Sequence, residues 1–129
     1  MKLPAMRARK KRKTVRLSET GFLLSLAAKA GKTVSGETAV LNAVRSGSAA
    51  VVIISTDASD NTKKKFCDKC SYYGIPRYIF GTKEGIAHAI GKEIRSTVAV
   101  TDPGLGAQIR KKLEEISADG KEQDIRDNK

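Results

Sequence analysis

The chain has no tryptophan, and only two cysteines, three prolines and one histidine occur among its 129 residues; aromatic side chains make up 5%. Each scarcity removes a class of function. With His88 as the sole histidine and no Ser-His or Cys-His pairing in view, acid–base and nucleophilic catalysis lack their usual equipment, so no enzyme is expected. Two cysteines cannot build a disulfide framework, and a lone pair fits a reducing, cytoplasmic compartment. Long apolar runs are missing as well. The longest, Ala49–Ile54, is six residues, against the roughly 18 needed to cross a bilayer, so a soluble chain without a membrane partner is expected. The stretch that could form a signal peptide core is broken by Ser25 and Lys29. The three tyrosines, Tyr72, Tyr73 and Tyr78, fall inside regular elements, which leaves little for stacking on unpaired bases.

What is abundant is positive charge: 25 Lys and Arg against 14 Asp and Glu, a net +11. Its distribution is uneven. Residues 1–16 carry eight basic and no acidic side chains, residues 17–113 carry fourteen and eight, and residues 114–129 carry three and six. A run of unpaired cations repels itself and calls for a polyanion, which makes nucleic acid the first partner to consider. Membrane-surface binding fits less well, because Arg7–Lys13 has no apolar face to insert. The expected organisation is a basic disordered arm over 1–17, one folded domain over 18–117, and an acidic disordered tail over 118–129.

Between arm and tail, helical and extended patterns alternate. Ser18 can cap a first helix with Phe22, Leu23, Leu26, Ala27 and Ala30 inward and Gly31 as its stop. A short extended piece, Lys32–Val34, leads to Ser35, which can cap a second helix that buries Val40, Leu41 and Val44 and ends at Gly47. Ala49–Ile54 is continuously apolar and β-branched, the pattern of a central strand covered on both faces. Capping residues over Asp57–Thr62 open a helix with Phe66, Cys67, Cys70 and Tyr73 inward and Gly74 as its end. A strand over Arg77–Phe80, a short helix capped by Thr82 and ending near Ile90-Gly91, a strand over Thr97–Thr101, and a helix over Pro103–Ile116 complete the order. Strands separated by helices predict an α/β fold, a three-layer α/β/α sandwich with a small mixed sheet.

Three catalytic look-alikes fail. Gly31-Lys32-Thr33 ends like a phosphate-binding loop, but the first required glycine falls on Leu26 within an amphipathic helix. Gly104-Leu105-Gly106 lacks the third glycine of a dinucleotide fingerprint, which would fall on Ile109. Cys67 and Cys70 have redox spacing but lie inside a helix, where no helix start lowers a thiol pKa, and two thiolates do not complete a zinc site. No metal and no cofactor is expected. A small nucleotide-binding domain or enzyme, and a protein-interaction module, are the alternatives to nucleic-acid binding.

The runs Ala30-Gly31-Lys32-Thr33-Val34-Ser35-Gly36-Glu37 and Ala43-Val44-Arg45-Ser46-Gly47 before the apolar strand resemble the kink-turn RNA-binding ribosomal protein family. Asp57-Ala58-Ser59-Asp60-Asn61-Thr62-Lys63-Lys64-Lys65, Asp68-Lys69-Cys70, and Ala89-Ile90-Gly91-Lys92 with Arg95 look most like its small bacterial, YlxQ-like branch. The resemblance covers about residues 20–113. It implies the same sandwich and binding to structured RNA, with the start of the second helix in the groove of a bent RNA and a later loop over a flipped-out nucleotide. The family glycine that opens the helix matches Gly36, and the loop matches Gly91 to Arg95, including Lys92 and Ile94. The family's groove-reading Asn, Glu and Lys fall on Thr38, Ala39 and Asn42, a departure. Ala39 accepts no hydrogen bond and Asn42 carries no charge, and each lost base contact costs ~1–3 kcal/mol of discrimination.

The residues support a parallel reading. A helix start capped by Ser35 would leave N–H groups at Gly36, Glu37 and Thr38 for a phosphate or base edge, with Lys32 nearby in sequence. Glu37 is either a carboxylate favoured by the helix dipole or an acceptor for a base amino group. Asn61, Thr62 and Lys63 open a helix after the central strand, at the strand end where α/β sheets bind ligands. Arg45 and Arg95 either reach phosphates or are solvated. The expected RNA-binding set is thus Lys32, Ser35, Gly36, Glu37, Thr38, Asn42, Asn61, Lys63, Gly91, Lys92, Ile94 and Arg95. Ribosomal RNA is the first candidate partner, with ribosomal proteins beside it.

Overall fold

The computed structural model describes residues 19–119, with side chains as far as 116. The expected Ser18 cap, the basic arm and most of the acidic tail lie outside the described residues. The elements follow as helix α1 (residues 19–29), β1 (Thr33–Ser35), α2 (Glu37–Ser46), β2 (Val51–Ile54), α3 (Asp60–Tyr73), β3 (Arg77–Ile79), α4 (Lys83–Ile90), β4 (Thr97–Val100) and α5 (Pro103–Asp119). The alternation is the one the sequence predicts, including the short first strand.

The strands form one mixed sheet in the order β1-β4-β2-β3, with β2 parallel to β3 and β4 antiparallel to both β1 and β2. Strand β2 is inner and fully buried, as its unbroken Val51-Val52-Ile53-Ile54 run requires. Alternate side chains face opposite layers. Val51, Ile53, Val98 and Val100 pack with Leu24, Ala27, Ile86, Ile90, Ile109 and Leu113 of α1, α4 and α5. Val52, Ile54 and Ala99 pack with Val40, Ala43, Val44, Phe66 and Cys70 of α2 and α3. Each side of the sheet thus has its own apolar cluster, and the domain is a three-layer α/β/α sandwich.

Local chemistry sets the element ends. Helices α2, α3 and α4 each close on a left-handed glycine, Gly47, Gly74 and Gly91, whose N–H groups satisfy late carbonyls of the helix. At the starts, Ser59 Oγ accepts from the Thr62 N–H, Thr82 Oγ1 from the Gly85 N–H and Asp102 Oδ2 from the Leu105 N–H. Gly106, one turn into α5, lies so close to Ala50 that a Cβ there would sit 2.7 Å from the Ala50 Cβ. That glycine therefore serves close packing of a helix on the β2 entry rather than a dinucleotide.

Two inward faces differ from expectation. In α1 the buried stripe is Thr20, Leu24 and Ala27, whereas Phe22 is 63% and Leu26 40% exposed. The helix is apolar around most of its circumference, so its periodicity fits two overlapping stripes, and the sheet takes the one containing the small Thr20 and Ala27. Tyr73, expected inward, is 40% exposed in the last turn of α3, where its ring meets Tyr72 edge to face at 4.8 Å between centroids. Cys70 is buried beside Phe66, and burial pushes its thiol pKa up to about 11, so it behaves as a core residue.

Candidate functional site

The pairing register gathers four connections at one end of the sheet. Ser35, the last residue of β1, pairs with Val98 near the start of β4, and Ile54, the last of β2, pairs with Thr97. Ile54 also pairs with Ile79, the last of β3. The start of α2, the β2–α3 and β3–α4 turns, and the loop 91–96 before β4 therefore sit side by side. Main-chain bonds tie them together. Ser55 N–H donates to Ser96 C=O at 2.8 Å, and Thr56 N–H and Oγ1 both donate to Gly81 C=O at 2.8 Å. The Lys83 N–H donates to Asp57 Oδ1 at 3.0 Å, which pins the start of α4 to the β2–α3 turn.

The opening of α2 differs from that of its neighbours. Ser35 is not its cap. It is still in the β1 ladder, and the cap position is Gly36, at φ 91 and ψ 155, with no side-chain cap hydrogen bond. A strand must turn abruptly into a helix here, and that backbone region is essentially confined to glycine. Gly36 N–H is also not free, since it donates to Thr97 C=O at 3.1 Å. The donors left by the missing cap are those of Glu37, Thr38 and Ala39. Among α2 to α5, this is the one helix start without a side-chain cap. Thr38 and Asn42 lie exposed along the same helix.

Ser35 has another task. Its Oγ accepts from Arg95 Nε at 3.1 Å, while Arg95 Nη1 donates to the carbonyls of Glu93 and Ile94, each at 3.2 Å. Half-buried, Arg95 folds the loop onto itself and clamps it to the end of β1. Gly91 in its left-handed conformation opens that loop, Lys92 is exposed, and Ile94 is 57% exposed beside the α2 start.

Glu37 meets a set of partners that the sequence does not reveal. Its carboxylate accepts from Thr62 Oγ1 at 2.9 Å and pairs with Lys65 Nζ at 3.0 Å. Thr62 Oγ1 in turn accepts from Ser59 Oγ at 3.0 Å. The Lys65 hydrogen bond first, and the Thr62 hydroxyl second, hold the Glu37 carboxyl below the ordinary carboxylate range. The carboxylate is favourably placed at a helix start and is tied to α3. Ser59 and Thr62 are legible as a capping pair; that Thr62 and Lys65 reach a residue 25 and 28 positions away is not.

Asn61 is exposed in the first turn of α3 and Lys63 is half-buried two residues on, flanking Thr62, whose hydroxyl reaches Glu37 of α2. Lys32 is placed elsewhere. Its carbonyl accepts from the N–H and Oγ1 of Thr101, at the opposite end of β1 where α5 begins, because an extended strand separates it from Gly36. The same geometry disposes of the phosphate-loop look-alike: Gly31 closes α1 and Lys32-Thr33 enter a strand, not a helix. Among the described residues no group of three or more His, Cys, Asp and Glu is arranged to hold a metal, and no helix is long and apolar enough to cross a membrane.

A three-layer sandwich with an uncapped helix start beside a clamped loop defines a small α/β binding module. The comparisons place it more closely. The model of the ribosomal protein L7Ae/L30e/S12e/Gadd45 family matches residues 19–109, and the chain belongs to that family. It is 44% identical over 87 residues to the RNA-binding protein YlxQ of Bacillus subtilis (strain 168), covering 67% of this chain and 87% of that one. Identity to the RNA-binding protein YlxQ of Enterococcus faecium is 36% over 92 residues, or 71% and 88% of the two chains. A solved structure of a protein of unknown function from Bacillus halodurans C superposes with a TM-score of 0.72 at 38% identity, covering 74% of this chain and 96% of that one. The Giardia lamblia 15.5kD RNA binding protein shares the fold, with a TM-score of 0.67 at 23% identity over 78% and 88% of the chains.

Proposed function

We propose that this chain is a noncatalytic RNA-binding protein that takes structured, kink-turn-like RNA at the end of the sheet where α2 begins. The observation that carries the reading is the uncapped start of α2, whose open amides stand beside the loop 91–96 while the starts of α3, α4 and α5 are closed by side chains. The same segment lies within residues 19–109, which match the family model, and the curated relatives are named RNA-binding proteins. In this reading the Glu37 and Thr38 N–H groups meet the RNA backbone or a base edge, with Thr38 and Asn42 further along the helix and Asn61 and Lys63 on its flank. Lys92 contacts a phosphate, and Ile94 packs on an unstacked nucleotide. Ser35, Gly36 and Arg95 hold this surface in shape, and Lys32 lies outside it. RNA shape supplies specificity.

The basic residues of 1–17 add phosphate contacts independent of sequence, ribosomal RNA is the natural target, and the cytoplasm is the compartment. Residues 18–117 are the binding domain. Fluorescence anisotropy with a kink-turn RNA and a straight duplex of the same composition tests the reading. Tighter binding of the bent RNA is the expected outcome, and equal affinity for the two would overturn it. Deleting residues 1–16 should flatten the log–log salt dependence on duplex by about 4–5 units if five or six cations neutralise phosphates. Lys92→Ala should weaken binding and lower the same slope by about one.

A further inference from the structure

The three residues at the entry to α2 are each fastened to a different part of the molecule. Ser35 is held by Arg95 of the 91–96 loop, Gly36 by the Thr97 carbonyl of β4, and Glu37 by Thr62 and Lys65 of α3. A helix start without a side-chain cap is free to fray, and an open set of amides in a fraying turn is a poor template for a ligand. Here the fraying end is restrained from three directions, and the restraint from α3 is the one that acts within the helix itself, at its first residue.

We infer that Glu37, Thr62 and Lys65 are positioning residues: the Glu37 carboxylate, gripped by the Thr62 hydroxyl and the Lys65 ammonium, fixes the open start of α2 against α3 so that its amides are preset for RNA. This rests on the reading of the α2 start as the RNA site. The geometry separates positioning from contact. Thr62 is only 8% exposed and donates its hydroxyl proton inward to Glu37, so it has no reach to a ligand. Both Glu37 oxygens are held by α3, Oε2 by Thr62 and Oε1 by Lys65, which fixes where the carboxylate stands at the open end of the helix. Ser59, which caps α3 and donates to Thr62, extends the chain of bonds, so two neighbouring helix starts are locked into one unit with a single carboxylate between them. Two positive helix ends side by side repel each other, and the Glu37 charge sits where it offsets both.

The test uses the full chain with Thr62→Val, Glu37→Ala, Glu37→Gln and Lys65→Met, a kink-turn RNA, and a single-stranded RNA of equal length. Thr62→Val should weaken kink-turn binding about tenfold, the loss that follows when one hydrogen bond to a charged group is removed. Single-strand affinity and the salt slope should stay at the wild-type values, and a cooperative thermal melt followed by circular dichroism checks that the variant is folded. Glu37→Gln, whose amide oxygen still accepts from Thr62 but whose NH2 cannot accept from Lys65, should recover only part of what Glu37→Ala loses. Kink-turn affinity of Thr62→Val equal to wild type would overturn the inference, as would a salt slope lowered by about one in Lys65→Met, the mark of a direct phosphate contact. Backbone amide order parameters of RNA-free protein test it without RNA: those of Thr38 and Ala39 should fall from about 0.85 toward 0.6 in Thr62→Val. Unchanged order would refute the positioning role, whereas this fall in Thr62→Val together with a wild-type chain that binds no kink-turn RNA would refute only the proposed function.

Discussion

Replacing Gly106 by alanine pits two effects of opposite sign against each other. Alanine in a helix interior is favoured over glycine by about 0.5–1 kcal/mol, because glycine loses more backbone freedom on folding. Against this, the new Cβ would stand 2.7 Å from the Ala50 Cβ, where carbon atoms prefer roughly 3.5–4.0 Å. Neither atom can rotate away, since each is fixed to its backbone, so α5 or the entry to β2 must shift by about 1 Å. Overpacking of this kind costs about 1–3 kcal/mol. The clash therefore wins, and the net loss of ~0.5–2 kcal/mol lowers the melting temperature by roughly 3–10 °C in a domain of this size. Gly21→Ala is the matched control, because a Cβ there meets nothing within 4 Å; it should raise the melting temperature by a few degrees, about 0.5 kcal/mol of propensity gain. Thermal melts followed by circular dichroism measure both. A Gly106→Ala chain as stable as wild type would show that α5 does not approach Ala50 as closely as described, and Ala50→Gly in the same chain should relieve the clash if it does.

Gly36→Ala forces a side chain onto a backbone at φ 91 and ψ 155; urea unfolding should show a loss of about 1–3 kcal/mol although no atom is clashed. Thr97→Val removes a buried hydroxyl that has no hydrogen-bond partner while keeping the shape, so stability should stay level or rise by about 1 kcal/mol; a large loss in the same unfolding measurement would reveal a bond to that hydroxyl. Glu37 titrates below its ordinary value of 4.5 in the folded chain. Its contribution to stability is therefore present above that value and disappears as pH falls through the lower, folded one. Melting temperature against pH should fall in this acidic window more steeply for wild type than for Glu37→Gln, and parallel curves would contradict the ion pair.

Helix and strand order were legible because their signals are local. The stops at Gly47, Gly74 and Gly91 and the caps at Thr82 and Asp102 act within one turn of the chain, and the β-branched run of β2 declares a strand covered on both sides. The face of α1 was not legible, because a helix apolar on most sides fits its neighbours in more than one rotation. The candidate site shows the same division. Sequence marks the α2 start and the loop after Gly91, yet it assigns the cap to Ser35 and names no protein partner for Arg95 or Glu37. Their partners lie 60 positions away for Arg95 with Ser35, and 25 for Glu37 with Thr62. Such pairings exist only once the register of β1, β4 and β2 is set, so no local pattern can announce them. Lys32 illustrates the converse: it is near Gly36 in sequence, but an extended strand carries it to the other end of β1.

Strand β4, the last of the four in chain order, lies between β1 and β2. During synthesis the first fifty-odd residues can therefore wind into helices, but the edge strand has nothing to join until a segment near residue 100 emerges and slots into the gap. The same late segment carries the carbonyl and the guanidinium that hold the entry to α2. A half-made or prematurely terminated chain thus has no means of presenting a competent surface, and the ability to grip a ligand arrives in one step with the closing of the sheet.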